Sequence, residues 1–139
     1  MDKGNKMNTY GENTLKKILI VDDNAEILEY LADSLNDAGY QAETAHDGVQ
    51  AVLRVLDGGC HGVIMDIRMP NLDGINALKI IRKVAPILPV VMITGQADNG
   101  EILAAKKMGA YACLPKPIKL EQIFTILEEV IPQYALAEV

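Results

Sequence analysis

No stretch of the 139-residue chain holds the ~18 consecutive apolar residues that a membrane-spanning helix needs. The first residues, Met1 to about Thr14, are polar, mixed in charge and without period, and they lack the apolar segment of a secretion signal. Both absences lead to the expectation of a cytoplasmic protein without membrane contact. Positive charge is scarce as well. Thirteen Lys and Arg stand against 19 Asp and Glu, giving a net charge of −6. With no Lys/Arg cluster on any one predicted helix, direct nucleic-acid binding is not expected. Cysteine is limited to Cys60 and Cys113, far apart and without C-x-x-C spacing. They read as reduced structural thiols rather than a redox pair. There is no internal repeat, no low-complexity tract and no linker. The length suits one domain with a two-sided core.

Within that frame, four short apolar runs each end on a polar residue. Ile18-Leu19-Ile20-Val21 runs into Asp22-Asp23, and Val63-Ile64-Met65 into Asp66. Val90-Val91-Met92-Ile93 runs into Thr94, and Ala110 to Leu114 leads past Pro115 into Lys116-Pro117. Continuous apolar runs without alternation suit parallel strands buried on both faces.

Helical patterns separate the runs. Asn24 is the expected N-cap of a helix to Ala38, with Ile27, Leu28, Leu31 and Leu35 on one face and Gly39 ending it. Gln41 to Ala45 reads as a short second strand. Asp47 caps a helix carrying Val49, Val52, Leu53 and Leu56, stopped by Gly58-Gly59. Asp73 starts a third helix, to about Val84. A fourth runs from about Asn99 to Met108 and ends at Gly109. A fifth runs from Lys119 to Ile131, with Leu120, Ile123, Phe124, Leu127 and Val130 on one stripe and Pro132 closing it. The expected organisation is a tail at 1–14, a domain at 15–134 and a second tail at 135–139.

Five β-α units imply an α/β, three-layer, doubly wound parallel sheet. Right-handed crossovers and the placement of the polar residues favour strand order 2-1-3-4-5, the flavodoxin-like arrangement. Strand five is then an edge, which explains the tolerance of Pro115 there.

Ligands in such sheets bind just beyond the carboxyl ends of the strands. Asp22, Asp23, Asp66, Thr94 and Lys116 should therefore converge. Crowded carboxylates need a compensating cation, and hard oxygen ligands without a nearby histidine favour Mg²⁺ over zinc. Asp66 can act as metal ligand and as nucleophile, forming an acyl phosphate. The loop Met69-Pro70-Asn71-Leu72-Asp73-Gly74 would hold it rigidly. Thr94 can donate to a phosphoryl oxygen, and Lys116 can neutralise another. His46 and His61 read as ordinary residues, His61 at the opposite sheet edge. Met65, Met69 and Met92 read as core or loop filler.

On these stretches the chain resembles the receiver domain of two-component response regulators. The matching residues are Val21 to Asn24, Met65 to Pro70 with Asp73-Gly74, Ile93 to Gly95, and Gly109-Ala110 with Lys116-Pro117. The resemblance runs in unbroken order from about Lys16 to Ile131. It implies that Asp66 is the phosphoacceptor, loaded from a sensor histidine kinase or phosphotransfer protein. It implies Mg²⁺ held by Asp23 and Asp66 directly, by Asp22 through water, and by the carbonyl oxygen of Arg68. It implies a cis peptide between Lys116 and Pro117. A downstream protein target would be met through the face of the fourth helix, fifth strand and fifth helix. The protein would catalyse only its own phosphorylation and dephosphorylation.

Two departures stand out. Three positions before the Lys, the family usually places an aromatic residue, and here it is Cys113. Tyr111, two residues earlier, is the aromatic nearest to taking over part of that role. Arg68 and Gln96, each two residues beyond a site residue, flank the phosphoryl group and should tune its lifetime. Two other readings are weaker. A haloacid-dehalogenase-type phosphatase needs a second acid where Arg68 stands, and a flavin module needs a Ser/Thr/Gly-rich loop where Asp22-Asp23-Asn24 stands. No output domain is expected after the receiver, so the chain reads as a stand-alone receiver or a fragment of a longer regulator.

Overall fold

In this computed structural model, residues 15–95 and 98–137 are described. The expected tail at 1–14 and Gln96 lie outside them. Five strands and five helices alternate: β1 (Lys17–Val21), α1 (Ala25–Asp37), β2 (Gln41–Ala45), α2 (Gly48–Asp57), β3 (Gly62–Asp66), α3 (Gly74–Val84), β4 (Val90–Thr94), α4 (Asn99–Lys107), β5 (Ala112–Pro115) and α5 (Leu120–Ala137). The strands form one sheet in the order β2-β1-β3-β4-β5. Every pair is parallel. The expected fold and strand order are both present, with β5 at one edge. Pro115 lies opposite Thr94 there, and the next residue restores the ladder, as Lys116 N–H donates to the Thr94 carbonyl at 2.9 Å. Among the described residues no helix is long and apolar enough to cross a membrane.

Alternate strand residues feed two cores. Leu19, Val21, Val63, Met65, Val90 and Met92 face one side and pack with residues of α2, α3 and α4. Ile18, Ile20, Ile64, Val91 and Ile93 face the other and pack with Leu28, Leu31 and Leu35 of α1 and Ile123, Leu127 and Ile131 of α5. Each fully buried side chain of this size is worth roughly 1.5–3 kcal/mol of transfer free energy. The sheet is thus clamped from both sides, which fixes where its strand ends lie.

Local signals set the helix ends. Asn24 accepts from the N–H groups of Glu26 and Ile27. Asp47 accepts from Gln50 N–H and Asp73 from Asn76 N–H. In α2 the inward face is not made by the large apolar residues read from the sequence. Gly48, Ala51 and Val55 are buried, whereas Val49, Leu53 and Leu56 are exposed and Val52 is only partly covered. The cause is close approach. Gly48 N–H donates to the Leu72 carbonyl at 3.0 Å, and a Cβ at Gly48 would run into that carbonyl. Only the small-residue stripe of α2 can sit that near the β3–α3 loop. A second difference is at the end of the chain. α5 continues through Pro132 to Ala137 instead of stopping at Ile131. Proline removes one backbone donor, and the helix carries on past that single missing bond.

The β3–α3 loop is pinned as the sequence suggested. Asn71, at φ 68, donates its amide to Asp47 Oδ2 at 2.7 Å. Gly74 N–H donates to the Ile67 carbonyl at 2.7 Å, drawing the start of α3 onto the end of β3. A Cβ at Gly74 would meet the Asp66 carbonyl, with Ile67 Cα and Met92 Cε both at 2.9 Å. Overpacking of this kind typically costs about 1–3 kcal/mol. Gly74→Ala should therefore lower the urea unfolding midpoint by that equivalent, and an unchanged midpoint would show that the start of α3 can shift freely.

Candidate functional site

At the carboxyl end of the sheet, β1, β3 and β4 deliver Asp22-Asp23, Asp66 and Thr94, and the residue after β5 is Lys116. Asp22 and Asp66 are buried, at 3 % and 6 % exposure, and Thr94 is buried beside them in the strand order, while Asp23 is exposed. One carboxylate oxygen from each of Asp22, Asp23 and Asp66 lies within 4.8 Å of the other two. Lys116 Nζ bridges the two buried carboxylates, 3.0 Å from Asp66 Oδ2 and 3.2 Å from Asp22 Oδ2. Their other oxygens are held by backbone. Asn24 N–H donates to Asp22 Oδ1 at 2.9 Å, and Arg68 N–H to Asp66 Oδ1 at 3.3 Å.

The electrostatics follow from this crowding. Burial pushes the Asp22 carboxyl above the usual carboxylate range. The Asn24 hydrogen bond opposes that rise, the Asp66 charge adds to it, and Lys116 opposes it. For Lys116, burial is the largest single influence and disfavours its charge. The hydrogen bonds and charges of Asp66 and Asp22 together outweigh it, so the ammonium is held above the ordinary lysine value. Lys116 contacts two of the three clustered carboxyl groups, so one cation stands against three acidic side chains. The donor set is all oxygen, without histidine or cysteine, which is the chemistry of a hard divalent cation.

Of the five residues expected to converge, Asp22, Asp23, Asp66 and Lys116 are brought together, and Thr94 ends the strand next to that of Asp66. The Lys116–Pro117 peptide is cis, as expected. The side chain of Arg68 departs from the cluster, with Nη2 donating to Glu101 Oε1 at 2.8 Å. Tyr111 does not turn inward either. It is 49 % exposed, and its hydroxyl donates to Glu129 Oε1 on α5 at 2.7 Å. Cys113 packs on the opposite face, against the core shared with α2, α3 and α4, and burial pushes its thiol up. His61 sits at the amino end of the strands, opposite the site, where Nδ1 accepts from Lys17 N–H at 3.1 Å. Glu101 was not picked out from the sequence. The signal for it was present: Asp98 and Glu101 have capping-box spacing, and the box forms at the start of α4.

A family model described as the response regulator receiver domain matches residues 18–128. The chain belongs to the response regulator receiver family. This receiver domain is 35 % identical over 121 residues to a transcriptional regulatory protein CpxR homolog of Haemophilus influenzae, covering 87 % of this chain and 52 % of that protein. It is 36 % identical over 107 residues to response regulator MprA of Mycobacterium avium, covering 77 % and 47 %. The chain thus spans about half the length of these curated relatives. Among solved structures, a response regulator receiver domain protein from Clostridium thermocellum superposes with a TM-score of 0.81 at 30 % identity, over 88 % of this chain and 99 % of that one.

The receiver's buried carboxylates set its own stability without metal. Asp22→Asn removes a charge that burial and Asp66 disfavour, and keeps an oxygen for Asn24 N–H. At pH 7 in EDTA the variant should unfold at a higher urea concentration than the parent chain. A lower midpoint would mean that the Lys116 contact outweighs the burial cost.

Proposed function

We propose that this receiver accepts a phosphoryl group on Asp66 from the phosphohistidine of a sensor histidine kinase or phosphotransfer protein, and signals by a conformational change. The observation that carries this reading is the Lys116 ammonium on the buried Asp66 carboxylate, inside a cluster of three aspartates. An Asp66 oxygen attacks phosphorus. A P–O bond forms, the P–N bond to the imidazole breaks, and the nitrogen keeps the electron pair and takes a proton. Asp22, Asp23, Asp66 and the carbonyl oxygen of Arg68 would hold Mg²⁺, which supplies charge neutralisation for the phosphoryl oxygens. Thr94 donates its hydroxyl to one oxygen, and Lys116 neutralises another. Positioning and charge do most of the work in such transfers.

In this reading the receiver unit spans residues 15–134, works in the cytoplasm, and catalyses only its own phosphorylation and dephosphorylation. It binds neither nucleic acid nor membrane directly. Its protein target meets α4, β5 and α5. The switch on that face is weak. Cys113 has no ring to move, and the Tyr111 hydroxyl is engaged by Glu129. A ligand shifts an equilibrium only by its differential affinity for the two states, and a small thiol offers little difference between them.

Incubation with acetyl phosphate and Mg²⁺ should add one phosphate, labile to hydroxylamine, and Asp66→Asn should abolish the labelling. Undiminished labelling in that variant would place the acceptor elsewhere. Calorimetry should detect a Mg²⁺ site in the unmodified chain that is lost in Asp23→Asn. Equal affinity in the two proteins would remove Asp23 from the metal site.

A further inference from the structure

Arg68 stands two residues beyond Asp66, and its backbone N–H already donates to Asp66 Oδ1. Its guanidinium is turned toward α4, onto Glu101 Oε1. That same oxygen accepts from Asp98 N–H at 3.2 Å and so closes the capping box that starts α4. The pair is open to solvent, the arginine side chain at 57 % exposure and the glutamate at 33 %. Exposed ion pairs are weak and easily exchanged. α4 is also lightly anchored: Ala105 is its one buried residue. A phosphoryl group on Asp66 would carry about −1.5 to −2 of charge in place of the carboxylate's −1, on the residue next but one to Arg68. Phosphoryl oxygens accept a guanidinium fork bidentately, which a single carboxylate oxygen at the rim does not match.

The geometry points to Arg68 as a shared cation. Glu101 holds it while Asp66 is unmodified, and the phosphoryl group takes it after transfer. Glu101 is then a positioning residue. It sets how firmly the site retains the phosphoryl group, and its loss of Arg68 removes one link between the start of α4 and the β3–α3 loop. This route to α4 needs no aromatic residue at position 113. It rests on Asp66 being the acceptor.

The test is a titration of the full chain with beryllofluoride, a phosphoryl mimic, in excess Mg²⁺. Four proteins are compared: the unmodified chain, Glu101→Gln, Arg68→Met and the double variant. Glutamine at 101 keeps an acceptor oxygen for Asp98 N–H, so the cap survives and only the pull on Arg68 is lost. Glu101→Gln should tighten binding about threefold to fivefold, the most that an exposed pair worth ~1 kcal/mol allows. Arg68→Met should weaken binding, and adding Glu101→Gln to it should change nothing further. In amide NMR, beryllofluoride should shift Asn99 to Ile102 in the unmodified chain and much less in Arg68→Met. Unchanged affinity in Glu101→Gln, or the same gain with and without Arg68, would overturn the exchange while leaving Asp66 as acceptor. Failure of the unmodified chain to bind beryllofluoride or to take phosphate from acetyl phosphate would instead overturn both.

Discussion

The Lys116 ammonium, set between Asp22 and Asp66, is the contact on which the site depends. The two carboxylates are nearly inaccessible to water, and a buried charge without a partner costs several kcal/mol. They come from β1 and β3, whereas the lysine follows β5, two strands further along the sheet. The bridge therefore forms only if β4 is correctly placed between them. Register supplies that placement: Asp66 lies opposite Ile93, and Thr94 opposite Pro115. The ion pair reports on the whole right half of the sheet, and the sheet in turn makes the pair geometrically affordable.

The sheet keeps its register because both faces are covered. Shifting a strand by one residue would exchange the two sets of side chains between cores of different shape. One core takes small helix residues such as Ala51, Ala77 and Ala105, and the other takes Leu28, Leu31, Leu35 and Leu127. Glycines finish the fit where backbone meets backbone. Gly48 lets α2 touch the loop after β3, and Gly74 lets α3 begin against the end of β3. These two contacts, with the Asp47–Asn71 bond, fasten the loop that follows Asp66. The Asp66 carboxylate is consequently held by packing on one side and by Lys116 on the other.

How much of this was legible in the sequence depends on the kind of signal. Strands buried on both faces leave unbroken apolar runs, so β1, β3 and β4 and the residues at their ends could be read directly. N-caps are equally local, and Asn24, Asp47 and Asp73 each sit where their hydroxyl-free, acceptor-bearing side chains suggested. The face of α2 was not legible. Its residues offer two helical stripes, one large and apolar (Val49, Leu53, Leu56) and one small (Gly48, Ala51, Val55). Hydrophobicity favours the first, and only the distance to Leu72 selects the second. The orientation of Tyr111 was not legible for a related reason. Spacing along a strand gives a face, but Tyr111 precedes β5 and finds Glu129 across the edge. The Arg68–Glu101 pair joins residues far apart in the chain, and no periodicity announces such a pairing.

These strengths are unevenly spread, and the unevenness bears on signalling. α1, α3 and α5 each bury at least three side chains in the cores, whereas α4 buries Ala105 alone. An element with so little apolar area opens at lower free energy than its neighbours. Its start is further held by polar ties, the capping box and the Arg68 bond to Glu101. Polar ties at the surface are individually weak, so a change of charge at Asp66 can compete with them, though it could not compete with the packing of α3. Among the described residues, the segment best suited to move is thus one that Arg68 links to the loop after Asp66. Under the charge exchange proposed for Arg68, movement of α4 would need no ring at position 113, where this chain carries a thiol.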